Sequence, residues 1–578
     1  MVTENQSGSE PGTAGDESPP TPHGRRVAVA DLGRNGARLF TERVGHLAVR
    51  AEMLQMRLLP SRMVAARLDT EDEDPDDWRF LVRPALLGFF ALVSVMLGAS
   101  LTSSPFKLEM TGTWFFGVPA HYGQSSQAML LFGLVAVYGG LILLMRAWYG
   151  LTKALSRRPG VPIRHLWWIL ALWMIPMLVV APIFSRDVFS YAAQGEMVSH
   201  HINPYIYGPG TLGAGPIVNP VDHLWINTPA PYGPLFLMVD GFFANVSLHH
   251  ELVMIVLLRL LALAGVVLIA WCIPTLARSY GRDPGPVFVL AVLNPLVVLT
   301  LVGAGHNDAI MVGLLVAGIT AARYKHPVWG VVLCALAAAI KAPAALGILY
   351  IAWDWLGTGV PLRQRVRPLV SAGLIAGGVM VALTLMSGLG FGWVGNLATP
   401  GTVRSWLAPA TGVGMAVGSL AHAVGLGVSS DSVLSLTRVL GLLGAAAAGV
   451  WLLKESDRIG SLTALGLSLL LFVILGPVVQ PWYLCWGIVI LAPVATGRLR
   501  SAIIVVSIAA PFIGLPGGQA LVKQLISYDP LSEAAALVFL LVVLLAPLGR
   551  WSRAWRWDTS DLGGEDEELA PGPQVAGG

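Results

Sequence analysis

An all-α protein that crosses a membrane many times is the fold class this sequence predicts, and three observations predict it. Of its 578 residues, 55% are hydrophobic and only 12% are charged, whereas about a quarter of a water-soluble globular chain is charged. Apolar windows recur from Pro84 to Leu548 instead of standing in one place, which excludes a single anchor. The loops between them alternate between rich and poor in Lys and Arg, as in a chain threaded repeatedly through a bilayer. A net charge of +3 and the lack of any basic stripe predict no nucleic-acid partner. Cys272, Cys334 and Cys485 lie in apolar stretches without motif spacing, so neither disulfides nor a zinc site is indicated.

Residues 1–80 are expected to be cytoplasmic. Met1 to His23 has the Ser/Pro/Gly/Glu composition of disorder. Leu32 to Leu68 places apolar residues at helical spacing among arginines, which predicts a basic amphipathic helix on an anionic membrane face. The acidic run Glu71 to Asp77 contains Asp72-Glu73-Asp74, which has the form of a metal-binding DxD. Nothing around it offers a nucleotide-sugar fold, so a solvated linker is the better reading.

Residues 81–549 form the membrane domain, with apolar windows opening near Pro84, Ala128, Leu166, Leu252, Val287, Ala309, Val328, Ala344, Leu369, Val433, Leu462, Tyr483, Ala502 and Ala534. At ~20 residues per crossing this predicts 13 or 14 spans, roughly. One set of loops carries Arg157 and Arg158, Arg278 and Arg282, Arg323 and Lys325, Arg363 to Arg367, Lys454 and Arg458, and Arg498 and Arg500. The positive-inside rule makes these cytoplasmic, together with both termini and the disordered tail 550–578. The parity requires Gly233 to Ser247 to be a short periplasmic or re-entrant helix. The opposite loops are then external, and two of them, 185–251 and 390–432, are long enough to be functional.

The first long loop opens Ser185-Arg186-Asp187-Val188-Phe189-Ser190-Tyr191, next to the end of an apolar window. Read as a helix, Asp187, Tyr191 and Gln194 share one face. A carboxylate at the membrane surface suits a reaction between a lipid-borne donor and a water-borne acceptor, taking the proton of an attacking hydroxyl. Helix capping by Asp187 is the competing reading. Farther on stand His200, His201, Asn203 and Tyr205, and then Pro229-Ala230-Pro231-Tyr232-Gly233-Pro234. Tyr205, Tyr207, Trp225 and Tyr232 are either platforms for sugar faces or interfacial anchors. The adjacent histidines lack i, i+4 spacing, and no metal site is expected of them.

Gly305-His306-Asn307-Asp308 puts three polar residues in a short turn between two apolar windows, which indicates a lined cavity. Capping accounts for Asn307 and Asp308 but leaves His306 over. Cations on the external side are few: Lys107, Arg186, Lys341, Arg404 and Lys523, with Arg259 and Arg438 inside apolar windows. Phosphate at headgroup level is one anion that Arg259, Lys341, Arg404 and Arg438 would hold; snorkelling is the alternative for Arg259 and Arg438. There is no Walker loop, dinucleotide fingerprint or HExxH motif. The energy of the reaction must therefore arrive with the donor.

These motifs, with Val403-Arg404-Ser405-Trp406 and Val479-Gln480-Pro481-Trp482-Tyr483, together resemble the actinobacterial polyprenol-phosphate-mannose-dependent α-(1→6)-mannosyltransferases of the MptA/MptB type. The resemblance covers about Pro84 to Leu548; Phe189 departs from the tyrosine expected there. It implies the GT-C architecture, in which external loops hold the site and an acidic residue, here Asp187, begins the first long loop. It implies a lipid-linked mannose donor, a mannan acceptor of the lipomannan or lipoarabinomannan kind, and an inverting reaction without a cofactor. Asp187 and His306 are then the catalytic candidates. Arg186, Tyr191, Gln194, Asn203, Tyr205, Tyr232, Asn307, Asp308, Trp406, Gln480, Trp482 and Tyr483 are candidates for substrate binding. A lipid-linked sugar flippase is the alternative, but transporters favour inverted repeats and midplane sites; here the polar residues gather at one surface.

Overall fold

A computed structural model describes residues 78–104, 106, 114, 121–423, 427–513 and 515 of the chain, all within the compact unit Pro75–Gly578. The expected amphipathic helix, the acidic linker, the window at Ala534, the C-terminal tail, Lys107 and Lys523 lie outside the described residues. Every other apolar window carries a helix. In order these are α1 Arg79–Ala99, α2 Gln127–Arg157, α3 Ile163–Val179, α4 Asp187–Ser199, α5 Pro234–Val246 and α6 Glu251–Ser279. There follow α7 Pro284–Ala291, a π-helix Val297–Gly303, α8 Asp308–Arg323, α9 Pro327–Ala338, α10 Ala345–Asp354 and α11 Leu362–Ser387. The last are α12 Pro409–Ala423, α13 Ser430–Ile459, α14 Ser461–Leu475, α15 Leu484–Leu491 and α16 Gly497–Ile513. The described part is all-helical apart from one isolated bridge, Leu101 to Tyr122.

Among the described residues, five helices (α1, α2, α6, α11 and α13) are long and apolar enough to cross a bilayer by themselves, and up to six do so if the bent pair Val297–Gly303 and Asp308–Arg323 counts as one. The other windows fold as shorter helices; Lys341 with Pro343, and Gln480 with Pro481, interrupt two of the apolar runs. α11 and α13 turn Leu374, Leu385, Leu440, Leu443 and Trp451 outward. A long helix that is apolar outside as well as inside belongs in lipid. The chain is a multi-pass membrane protein.

Small residues let the backbones meet. A Cβ on Gly98 would lie 2.8 Å from Ala136 Cβ, and one on Gly140 would lie 2.8 Å from the Ala91 carbonyl, so α1 and α2 form a close antiparallel pair. The buried indoles of Trp148 and Trp173 donate to the carbonyls of Val289 and Ala85 at 2.8 and 2.9 Å, which satisfies these two N–H groups among the apolar helices.

Two features position the loops over this bundle. Gly233 comes so close to Ala339 that a Cβ would lie 2.3 Å from its carbonyl oxygen, and the amides of Gly233 and Leu235 bond the carbonyls of Ile340 and Ala339. This docks the Pro-Tyr-Gly-Pro turn beside Lys341. The amide of Asn396 then donates to the carbonyls of Tyr205 and Ala230 at 3.1 and 3.2 Å, tying the second long loop to the first. α5 stays a 13-residue helix, too short to cross ~30 Å of hydrocarbon. The second loop contains α12, whose Gly414 and Gly418 pack on Leu434, Thr437 and Ser430 of α13.

Candidate functional site

Asp187 is the first residue of α4, and the backbone leading into it is strained: Phe184, a bulky residue, has φ 67°. Strain of this kind costs of order 1–3 kcal/mol and persists only where the surroundings enforce it. The Asp187 amide donates to Ser185 Oγ at 3.2 Å. Its carboxylate caps no free amide of α4 among the described residues; it lies 3.4 Å from His306 Nε2. His306 is fully buried, and its Nδ1–H donates to the Thr300 carbonyl at 2.7 Å. Since a carbonyl only accepts, this bond fixes the tautomer and turns Nε2 toward Ser185 Oγ, 3.0 Å away, and toward Asp187. The ring stacks on Trp482 with centroids 4.0 Å apart.

Local backbone chemistry explains how His306 gets there. The π-helix ends at Gly303, Gly305 takes φ 77°, which a side chain would resist, and the axis turns by 116° into α8. Wide π-turns often mark functional sites. The turn also buries Asp308 completely, where its two oxygens accept from Lys341 Nζ at 3.0 and 2.9 Å and Oδ1 accepts from Trp486 Nε1 at 2.6 Å. Lys341 Nζ sits 4.5 Å over the Tyr483 ring and 5.5 Å over that of Trp486. The two carboxylates thus differ in kind. Asp308 is neutralised inside a closed cage, whereas Asp187 keeps 21% side-chain exposure and has no Lys or Arg ion pair among the described residues.

Tyr191, Tyr232 and Phe236 meet edge to face, with centroids 5.0–5.3 Å apart. Burial first, then the neighbouring Tyr232 and the charges of Asp187 and Asp308, push the Tyr191 phenol well above its ordinary range, so it stays a donor. Tyr191 Oη reaches Asn307 Oδ1 at 3.5 Å. Asn307 Nδ2, Trp482 Nε1, Ser190 Oγ and Gln194 Oε1 are buried without partners among the described residues.

Asn203 and Tyr205 are engaged elsewhere: Asn203 Nδ2 donates to the Leu389 carbonyl at 3.0 Å and Tyr205 Oη to the Tyr232 carbonyl at 3.1 Å. They hold the loops together. Arg186 is half-buried beside Asp187, Gln480 immediately precedes the turn that carries Trp482, and Trp406 lies in the loop before α12. Each of the four cations already has protein partners. Arg259 is 1% exposed, and its guanidinium donates to the carbonyls of Leu178, Val180, Val302 and Gly303. Arg438 donates to the carbonyls of Gly401 and Val403 and to Thr411 Oγ1. Arg404 pairs with Asp431 at the surface, and Lys341 belongs to Asp308. Sequence reasoning passed over Thr300, Ser185 and Trp486 as individual site residues; Trp486 had a signal, standing four positions after Trp482 on one helical face.

Comparison with known proteins places these motifs. Residues 85–357 match the family model of the α-(1→6)-mannopyranosyltransferase N-terminal domain, and residues 410–546 match that of the MptB C-terminal domain. The chain is 34% identical over 412 residues to a probable α-(1→6)-mannopyranosyltransferase of Mycolicibacterium smegmatis, covering 65% of this chain and 73% of that protein. It is 30% identical over 442 residues to α-(1→6)-mannopyranosyltransferase A of Mycobacterium tuberculosis, covering 73% and 82%. With α-(1→6)-mannopyranosyltransferase B of Corynebacterium glutamicum it shares 32% identity over 377 residues, covering 60% and 62%. No solved structure matches it.

Proposed function

The chain belongs to the α-(1→6)-mannopyranosyltransferase family of the MptA/MptB type and is a membrane mannosyltransferase, and from that premise we propose that it moves mannose from polyprenyl phosphate to the 6-hydroxyl of a mannan acceptor, with Asp187 as the base. The observation that carries this reading is the placement of a part-exposed Asp187 carboxylate 3.4 Å from Nε2 of the buried His306, whose Nδ1–H is held by the Thr300 carbonyl. The acceptor oxygen attacks the anomeric carbon opposite the phosphate. The new C1–O bond forms as the bond from C1 to the phosphate oxygen breaks, and polyprenyl phosphate leaves with the electron pair. The hydroxyl proton goes to Asp187, and the lone pair on His306 Nε2 faces that carboxyl to receive it in turn. Attack from the opposite face converts a β-linked donor into an α product. Asn307 Nδ2 and Trp482 Nε1, the two unpartnered donors next to His306, suit sugar hydroxyls.

The site is assigned to the outer face and the termini to the cytoplasm. α8 supports this: it begins at Asp308 in the site and ends at Arg323, roughly 22 Å away along the axis, at a basic end of the sort that stays inside. The reaction uses no cofactor beyond its donor. The test is transfer by the purified protein to a short α-mannoside, supplied with radiolabelled polyprenyl-phosphate mannose or with GDP-mannose. Label should reach the acceptor from the lipid donor alone, through an α-(1→6) bond. Equal transfer from GDP-mannose, or donor translocation without transfer, overturns the proposal.

A further inference from the structure

Glu196, His200 and His249 lie apart from the site described above. Their ligand atoms all fall within 4.8 Å of one another. Glu196 Oε1 is 2.9 Å from His200 Nε2, and Glu196 Oε2 is 2.9 Å from His249 Nδ1. The carboxylate is buried at 10% exposure while the imidazoles are 55% and 45% exposed, their rings stacked 5.4 Å apart. Glu196 and His200 are an i, i+4 pair spanning the end of α4. His249 comes from the other end of the long loop, two residues before α6, and the chain presents it through consecutive left-handed residues, Leu248 at φ 53° and His249 at φ 63°. These residues close the end of α5, where the His249 amide donates to the Ala244 carbonyl at 3.0 Å and so fixes where His249 stands.

We propose that these three residues bind one divalent zinc ion that staples the two ends of the 185–251 loop. Two imidazoles and one carboxylate, with water in the fourth position, are a zinc donor set; magnesium and calcium take oxygen ligands. Bonds of about 2.0–2.2 Å put adjacent ligand atoms roughly 3.3 Å apart in a tetrahedron, so the two Glu196 contacts at 2.9 Å need to open by only a few tenths of an ångström, while the imidazole nitrogens already lie within 4.8 Å of one another. Asp187 lies nine residues up the same helix, roughly 13.5 Å away along the axis. The ion is therefore structural: it fixes the helix that begins with Asp187 and never meets the transferred sugar.

The purified full-length protein in detergent, stripped with chelator, should take up about one zinc per chain from micromolar zinc chloride, with a rise in melting temperature that magnesium chloride does not give. His249→Ala and His200→Ala should each weaken zinc binding on the order of 100-fold or more, beyond what loss of a second-shell partner costs. Asp187→Asn, outside the cluster, should bind zinc as the parent does. Absence of zinc uptake by the parent protein, which needs no variant to fold, overturns the proposal. So does uptake that persists undiminished in both histidine variants.

Discussion

Asp187→Asn is the substitution that separates a base from a helix cap. Asparagine has the same shape, and the backbone bond from residue 187 to Ser185 Oγ survives it. His306 remains held by Thr300 and Ser185. No Lys or Arg among the described residues is paired with Asp187, so removing its charge strands none. Stability should then change by no more than about 0.5 kcal/mol. On the proposed mechanism, what is lost is the acceptor for the hydroxyl proton. A positioned general base contributes typically 10²–10⁴-fold, or about 3–5 kcal/mol of transition-state stabilisation. The expectation is a fall in kcat of that order with the KM for either substrate little altered. Initial rates with purified lipid donor and a synthetic mannoside, run beside a thermal melt in the same detergent, give both quantities. Transfer within a few-fold of the parent rate would refute the assignment, and a lowered melting temperature with activity restored on cooling would return Asp187 to capping.

The other carboxylates and the buried arginine make contrasting predictions. Lys341→Met strands the fully buried Asp308, which should cost about 3–5 kcal/mol; adding Asp308→Asn should restore much of it, and a double-mutant cycle read by thermal melts checks the coupling. Asp240 in α5 is buried, with neither oxygen partnered among the described residues, and burial holds its carboxyl protonated well above the ordinary range. The unfolded chain releases that proton near pH 4 and the folded one does not, so the folded state loses up to about 1.4 kcal/mol per pH unit as pH rises above that point. Asp240→Asn should remove that slope, and melts from pH 4 to 8 should show the variant gaining on the parent as pH increases. Arg259→Met takes the guanidinium from four carbonyls, of which that of Gly303 keeps the Ile183 amide, and should lower stability by about 2–4 kcal/mol. Its KM for donor should stay unchanged in the protein that folds.

The sequence carries the membrane class openly, because apolar windows and loop charge are one-dimensional signals. It also places Asp187, Tyr191 and Gln194 on one helical face, but α4 is buried on every side from Val188 to Met197, so burial does not single that face out. It does not say which carboxylate meets which partner. That depends on the 116° turn at Gly303 to Asn307, which sends His306 toward Asp187 and Asp308 toward Lys341 from positions two residues apart. Arginines in apolar windows are ambiguous for a physical reason: a guanidinium satisfies its donors equally well on phosphate oxygens or on the free carbonyls at helix ends. Arg259 and Arg438 take the carbonyls. Histidine adjacency misleads similarly, since His200 finds its neighbours at Glu196, one turn back, and at His249 across the loop, and not at His201.

This division of the cations has a consequence for the donor. Arg259 and Arg438 are engaged by backbone carbonyls, and Lys341 is committed to a buried carboxylate whose exposure would cost far more than a phosphate contact returns. Arg404 differs. It is 59% exposed, and its partner Asp431 is 72% exposed, an ion pair worth about 0–1 kcal/mol that an incoming phosphate can displace. Its loop is anchored by Arg438 through the carbonyls of Gly401 and Val403, and Arg438 reaches the Pro477 carbonyl through Thr411 Oγ1. Pro477 leads directly into the turn that stacks Trp482 on His306. A phosphate held at Arg404 would thus be linked to Asp187 through these hydrogen bonds, the backbone from Pro477 to Trp482 and the Trp482–His306 stack. Arg404→Met should raise the KM for the lipid donor about tenfold, leave the KM for the mannoside unchanged, and leave the melting temperature where it was. Equal loss for both substrates, or a fall in stability, would place the donor phosphate elsewhere.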